Sequence, residues 1–78
     1  PNPFNPVTSI TFDLNTTGYV TLTVYNVLGQ KLKVLVDESL AAGSYNVKFE
    51  AGNFPTGNYF YELRVNNRRS IKKLTILK

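Results

Sequence analysis

Five carboxylates, Asp13, Asp37, Glu38, Glu50 and Glu62, and nine Lys and Arg supply the charged chemistry of the chain, and its 78 residues include neither histidine nor cysteine. Imidazole and thiol are the usual general base, nucleophile and soft-metal ligands, so nucleophilic and zinc chemistry lack their ordinary carriers. Asp37 and Glu38 are adjacent in sequence. Paired carboxylates can divide acid and base roles or bind Ca²⁺ through oxygen. This pair lies in a turn-like segment without the DxDxDG spacing of a calcium loop, and a solvated loop is the simpler reading. Gly52 and Gly57 flank Pro55 in a link between strand-like runs rather than opening a helix, so they form no phosphate cradle. These residues imply no enzyme, no metal and no cofactor.

The positive charge is more patterned. The net charge is +4, and Arg64, Arg68, Arg69, Lys72, Lys73 and Lys78 all fall within residues 64–78. Such a cluster suits phosphate, anionic lipid or an acidic protein surface, and equally the solvated outer face of a sheet. Nucleic-acid binding wants basic residues interleaved with aromatics on one face. Phe60 with Arg64 and Arg68 is the nearest approach, which implies no nucleic-acid partner. Tyr19, Tyr25 and Phe60 offer a stacking platform for carbohydrate, although exposed rings on sheets also arise as cross-strand pairs. Asn15-Thr16-Thr17 matches a glycosylation sequon and reads as well as a turn before Gly18. The absence of cysteine excludes disulfide stapling and permits either redox compartment.

Sheet must position these groups, because the hydrophobic period is two almost throughout. Ile10, Phe12 and Leu14 alternate with Thr11 and Asp13, and Val20, Leu22 and Val24 alternate with Thr21 and Thr23. Gly29 marks a turn into a third strand over residues 31–36, where the apolar run Val34-Leu35-Val36 breaks the alternation and predicts a bulge or the end of pairing. Residues 37–43 read as a turn or a stub of strand. Tyr45, Val47 and Phe49 share one face of a strand over 44–50, and Tyr59, Tyr61, Leu63 and Val65 share one face of a strand over 58–65. Asn66-Asn67 predicts a tight hairpin into a last strand over 70–78. A chain this short buries only about 60 to 65% of its unfolded surface. Its expected core is Phe12, Leu22, Val24, Val47, Phe49, Tyr59, Tyr61 and Leu63. The pattern predicts an all-β fold, an immunoglobulin-like antiparallel β-sandwich of about seven strands. No run approaches the roughly 18 apolar residues of a membrane span, and the chain opens within a motif at Pro1, as a piece of a longer protein does.

Ahead of the first strand stand Pro1, Asn2, Pro3, Phe4, Asn5 and Pro6, which forbid helix and favour an extended strap. This lead-in joins four further segments: Val24-Tyr25-Asn26-Val27-Leu28-Gly29-Gln30, Ala42-Gly43-Ser44-Tyr45, Pro55-Thr56-Gly57-Asn58-Tyr59-Phe60-Tyr61 and Ser70-Ile71-Lys72-Lys73-Leu74. In this order and spacing they resemble the type A C-terminal sorting domain of the type IX, or Por, secretion system across essentially the whole chain. Phe49-Glu50 stands where that family often shows Trp-Asp, and Asn15-Thr16-Thr17 where a proline-containing turn is common.

The resemblance implies a single sorting domain over residues 1–78, with 1–6 as the strap and 7–78 as the sandwich. It also implies an address rather than an enzyme. An upstream cargo in the same chain would cross the periplasm and outer membrane of a Gram-negative, Bacteroidetes-like bacterium to be secreted or held at the cell surface. The partners implied are secretion-machinery proteins and a sortase that cuts upstream of Pro1, with no small-molecule substrate. Within that reading the last strand is the expected recognition element, through Ser70, Lys72, Lys73, Leu74, Ile76 and Lys78, because a terminal strand at a sheet edge offers unpaired backbone groups. The lead-in and the Gly-x-Tyr strand also resemble the immunoglobulin-like domain of the flagellar hook cap protein, a scaffold. A carbohydrate-binding module of a secreted hydrolase is a third reading of the exposed rings.

Overall fold

Alternating β-branched and aromatic residues give six strands, β1 (Val7–Leu14), β2 (Gly18–Tyr25), β3 (Lys31–Leu40), β4 (Gly43–Glu50), β5 (Gly57–Val65) and β6 (Arg68–Ile76). The computed structural model describes residues 7–78, so the strap over 1–6 lies outside the described residues. β1 and β4 form one antiparallel sheet, and the other has the order β3-β2-β5-β6, also antiparallel throughout. The two sheets pack as a β-sandwich of six strands rather than seven.

The segment expected to turn after Val36 instead continues β3. Thr21, Val20, Tyr19 and Gly18 of β2 pair with Asp37, Glu38, Ser39 and Leu40. Hydrogen bonding to a neighbouring strand overrides a local composition that reads as a turn. The bulge expected at Val34-Leu35-Val36 is present: Leu22 pairs with Val36 and Thr23 with Val34, leaving Leu35 as the extra residue. A second shift leaves Leu32 between Lys33, opposite Val24, and Lys31, opposite Tyr25. Both extra leucines pack against the core. β6 begins at Arg68, two positions before its expected start, and ends at Ile76.

The core lies between the sheets. Ile10, Phe12 and Leu14 of β1 meet Val20, Leu22 and Val24 of β2, and the last three are completely buried. Burying such side chains stabilises by roughly 1.5 to 3 kcal/mol each. Phe49 and Tyr59 are buried as expected, whereas Val47, Tyr61 and Leu63 are half-buried at its margin. The Phe12 and Tyr45 rings stack at 5.3 Å, and Phe54 lies between Phe49 at 5.7 Å and Tyr59 at 6.1 Å. Phe54 thereby pins the β4–β5 connection to the end of the sandwich. The Asn66 hairpin forms as expected, with Asn66 at φ 53°, a left-handed conformation that asparagine tolerates.

Candidate recognition surface

β6 is an edge of the four-stranded sheet, paired with β5 and, among the described residues, with no strand on its other side. Its side chains divide by alternation. Leu74 and Ile76, opposite Tyr59 and Gly57, turn into the core and are 6% and 2% exposed. Lys72, Ser70 and Arg68 share that face by the period of two, yet all three are exposed. The sheet of β1 and β4 does not cover this half of β6. An open cleft of about 520 Å³ stands there, between residues 13–16 at the end of β1 and the β5–β6 hairpin with Leu63, Val65 and Arg68. A lysine on the inward face of an edge strand discourages unselective strand pairing. Lys73, with Ile71, lies on the outer face.

Lys78 follows the strand and is tethered: its backbone N–H donates to Thr56 Oγ1 at 3.0 Å and its Nζ to the Gly52 carbonyl at 2.6 Å. Of the six residues expected to form a recognition element, Ser70, Lys72 and Lys73 are thus exposed on the strand. Leu74 and Ile76 anchor it from within, and Lys78 ties the tail to the β4–β5 connection. The burial of Leu74 and Ile76 was legible in principle, since they are the apolar members of an alternating pair.

The family-motif residues that lie within the described chain serve the sheet. Gly29 occupies the β2–β3 turn at φ 81°, a left-handed conformation that favours glycine. Gly43 and Gly57 open β4 and β5. Tyr59 is buried with its hydroxyl donating to the Pro55 carbonyl at 2.6 Å, and Tyr61 is half-buried beside the core. Pro1, Asn2, Pro3, Phe4, Asn5 and Pro6 lie outside the described residues.

Elsewhere on the four-stranded sheet, Glu62 collects three neighbours. Arg69 Nε lies at 3.4 Å and Arg64 Nη2 at 3.8 Å, while the Tyr25 hydroxyl donates to it at 3.4 Å. The arginine side chains are about half exposed, so each pair contributes roughly 0 to 1 kcal/mol. Tyr25 and Phe60 are cross-strand partners, whereas Tyr19 is turned to the Asp37 carboxylate, to which its hydroxyl donates. That hydrogen bond raises the Tyr19 hydroxyl above its ordinary 10.0, helped by desolvation and by the charges of Asp37 and Glu38. Sequence reasoning singled out Tyr19, Tyr25 and Phe60 of this outer face as a stacking platform, but not the exposed Val34 and Ile71 beside Glu62 and its partners. The alternation marked Val34 and Ile71 as no more than parts of their strands.

A family model described as the secretion system C-terminal sorting domain matches residues 1–77. Comparison with curated proteins and with solved structures gives no match. The family match spans residues 1–6 as well as the sandwich with its edge strand, and so the chain belongs to the family of type IX secretion C-terminal sorting domains: a signal, carried by a cargo protein, that engages the secretion machinery for passage through the outer membrane to the cell surface or beyond.

Proposed function

We propose that the machinery reads this signal along the free edge of β6, and that a sortase afterwards releases the domain by cutting upstream of Pro1. The observation that carries the first half is the combination within one strand. Leu74 and Ile76 fix β6 from the core side, while Ser70, Lys72 and Lys73 stay exposed on it. An edge held rigid in this way offers backbone N–H and C=O groups for strand addition, with charged side chains to select the partner. Residues 1–6 then serve as the link between cargo and sandwich, and residues 7–78 as the folded address.

The test fuses residues 1–78 behind a reporter with an export signal, in a host possessing the type IX machinery. Deleting 70–78 is a poor control, because it also removes Leu74 and Ile76 from the core. The double substitution Lys72→Glu, Lys73→Glu keeps those anchors. A folded variant retained in the periplasm supports reading at β6, and a variant displayed as efficiently as the parent overturns it. Mass spectrometry of the displayed reporter tests the second half, where an intact C-terminal domain on the mature product rules out cleavage.

A further inference from the structure

At the end nearest the β2–β3 turn, the outer face of the four-stranded sheet carries more apolar and aromatic side chains than a solvated sheet face ordinarily does, whereas the row farther from that turn, Asp37, Thr21, Arg64 and Arg69, is polar. A sheet packed on one side normally carries polar residues on the other. The sheet of β1 and β4 follows this along most of its length: Ser9, Thr11 and Asp13 stand opposite Lys48, Asn46 and Ser44, with exposed Val7 opposite Glu50 at one end. On the larger sheet, register places Lys31, Tyr25, Phe60 and Lys73 in one row, with Val34, Thr23, Glu62 and Ile71 in the next. Ile71, 55% exposed, stands at one edge of that second row and Val34, 45% exposed, at the other, and the β2–β3 turn carries exposed Val27, 65%, to the Ile71 side, where both line one groove, with Leu28, 79% exposed, next to it in the turn. Single exposed apolar side chains are ordinary, but a gathering of them on one face marks an interaction surface.

Between that turn and β6 runs a groove of about 370 Å³, walled by Tyr25, Val27, Phe60 and Ile71, with the Glu62 and Arg69 pair also in its lining. Its turn is held in shape. Asn26 Oδ1 accepts from the N–H groups of Leu28 and Gln30, both at 2.9 Å, and Asn26 Nδ2 donates to Gln30 Oε1 at 2.7 Å. The Gly29 N–H donates to the Asn26 carbonyl at 3.0 Å. Val27 and Leu28 therefore stand on an ordered support, which lowers the ordering cost when a partner covers them. Lys31 and Lys73 bracket the Tyr25–Phe60 row from opposite edges of the sheet, three strand spacings or roughly 14 Å apart. Glu62, the acid in the next row, is already engaged by Arg69, Arg64 and Tyr25.

We propose that this face docks a protein partner presenting an apolar side chain between acidic residues, the apolar group seated in the groove and the acids meeting Lys31 and Lys73. A second copy of this chain is disfavoured, because two such faces would set lysine against lysine. The inference stands whichever element the secretion machinery reads.

The isotope-labelled 78-residue chain is titrated with a synthetic peptide in which leucine and phenylalanine alternate with aspartate and glutamate, and with a control carrying lysine at each acidic position. The acidic peptide is expected to shift the amides of Val27, Phe60 and Ile71, to weaken with added salt, and to bind Val27→Ser about tenfold less tightly. Lys48→Glu, on the other sheet, is expected to leave binding unchanged. The proposal is overturned by equal binding of the lysine peptide, by no shift with the acidic one, or by shifts confined to β1 and β4. Concentration-dependent dimerisation of the chain alone, with shifts on this face, would assign the surface to a second copy and overturn it as well.

Discussion

The Tyr19 hydroxyl donates to the Asp37 carboxylate across the β2–β3 pair, close to where β3 continues past its expected end. The two residues lie on neighbouring strands of the four-stranded sheet, and the contact raises the pKa of Tyr19. A group whose folded pKa is raised contributes stability that is complete below its unfolded value and is lost as pH rises through the folded value. Asp37→Asn is therefore expected to bring the Tyr19 titration down towards 10.0, followed by ring-carbon NMR. Any advantage of the parent chain over Tyr19→Phe at neutral pH should disappear as the solution is made alkaline through the raised pKa. An unchanged Tyr19 titration in Asp37→Asn would contradict the assignment.

Leu22→Ala should be the severest of the simple truncations in β2. Its side chain is fully buried between the sheets, and such a deletion costs roughly 2 to 5 kcal/mol, a large share of the few kcal/mol that stabilise a domain this small. Tyr61→Ala removes a half-buried ring at the core margin and should cost less. Urea midpoints of the two variants decide the order.

Scaffold and recognition within β6 should separate by measurement. Ile76→Ala is expected to destabilise the sandwich by roughly 2 to 5 kcal/mol, whereas Lys72→Glu should change stability by no more than about 0.5 kcal/mol. Thermal melts of both variants provide the comparison. A Lys72→Glu melt as low as that of Ile76→Ala would place the lysine in the structural set.

Gly29→Ala tests the turn. At φ 81° a Cβ meets no neighbouring atom but adopts a conformation disfavoured for L side chains, at a cost of roughly 1 to 2 kcal/mol. The loss should appear in denaturant unfolding, together with amide shifts at Leu28 and Gln30, whose N–H groups bond Asn26.

The sheet was legible in the sequence where a single strand carries its own signal. Ile10, Phe12 and Leu14 announce their buried face by alternation, and the run Val34-Leu35-Val36 announces its bulge. What alternation cannot supply is pairing. Residues 37–40 read as a turn because nothing local records that Gly18 to Thr21 of β2 will hydrogen-bond to them, and the strand count was overestimated for the same reason. Nor does alternation report coverage. Lys72 and Leu74 share one face of β6, yet one is solvated and the other buried, and the difference depends on how far the opposite sheet reaches. The residues expected to form a recognition element were therefore assigned to one strand without being divided into buried anchors and exposed groups.

The placement of Leu74 and Ile76 has a consequence for the timing of assembly. Chains emerge from the ribosome from the N-terminal end, and units fold once their residues are available. The first five strands lack the two side chains that close the core, so the sandwich is completed only after β6 has been synthesised. A product terminated before that point carries no finished signal. An intact domain is therefore a certificate that the ribosome has read through everything ahead of it.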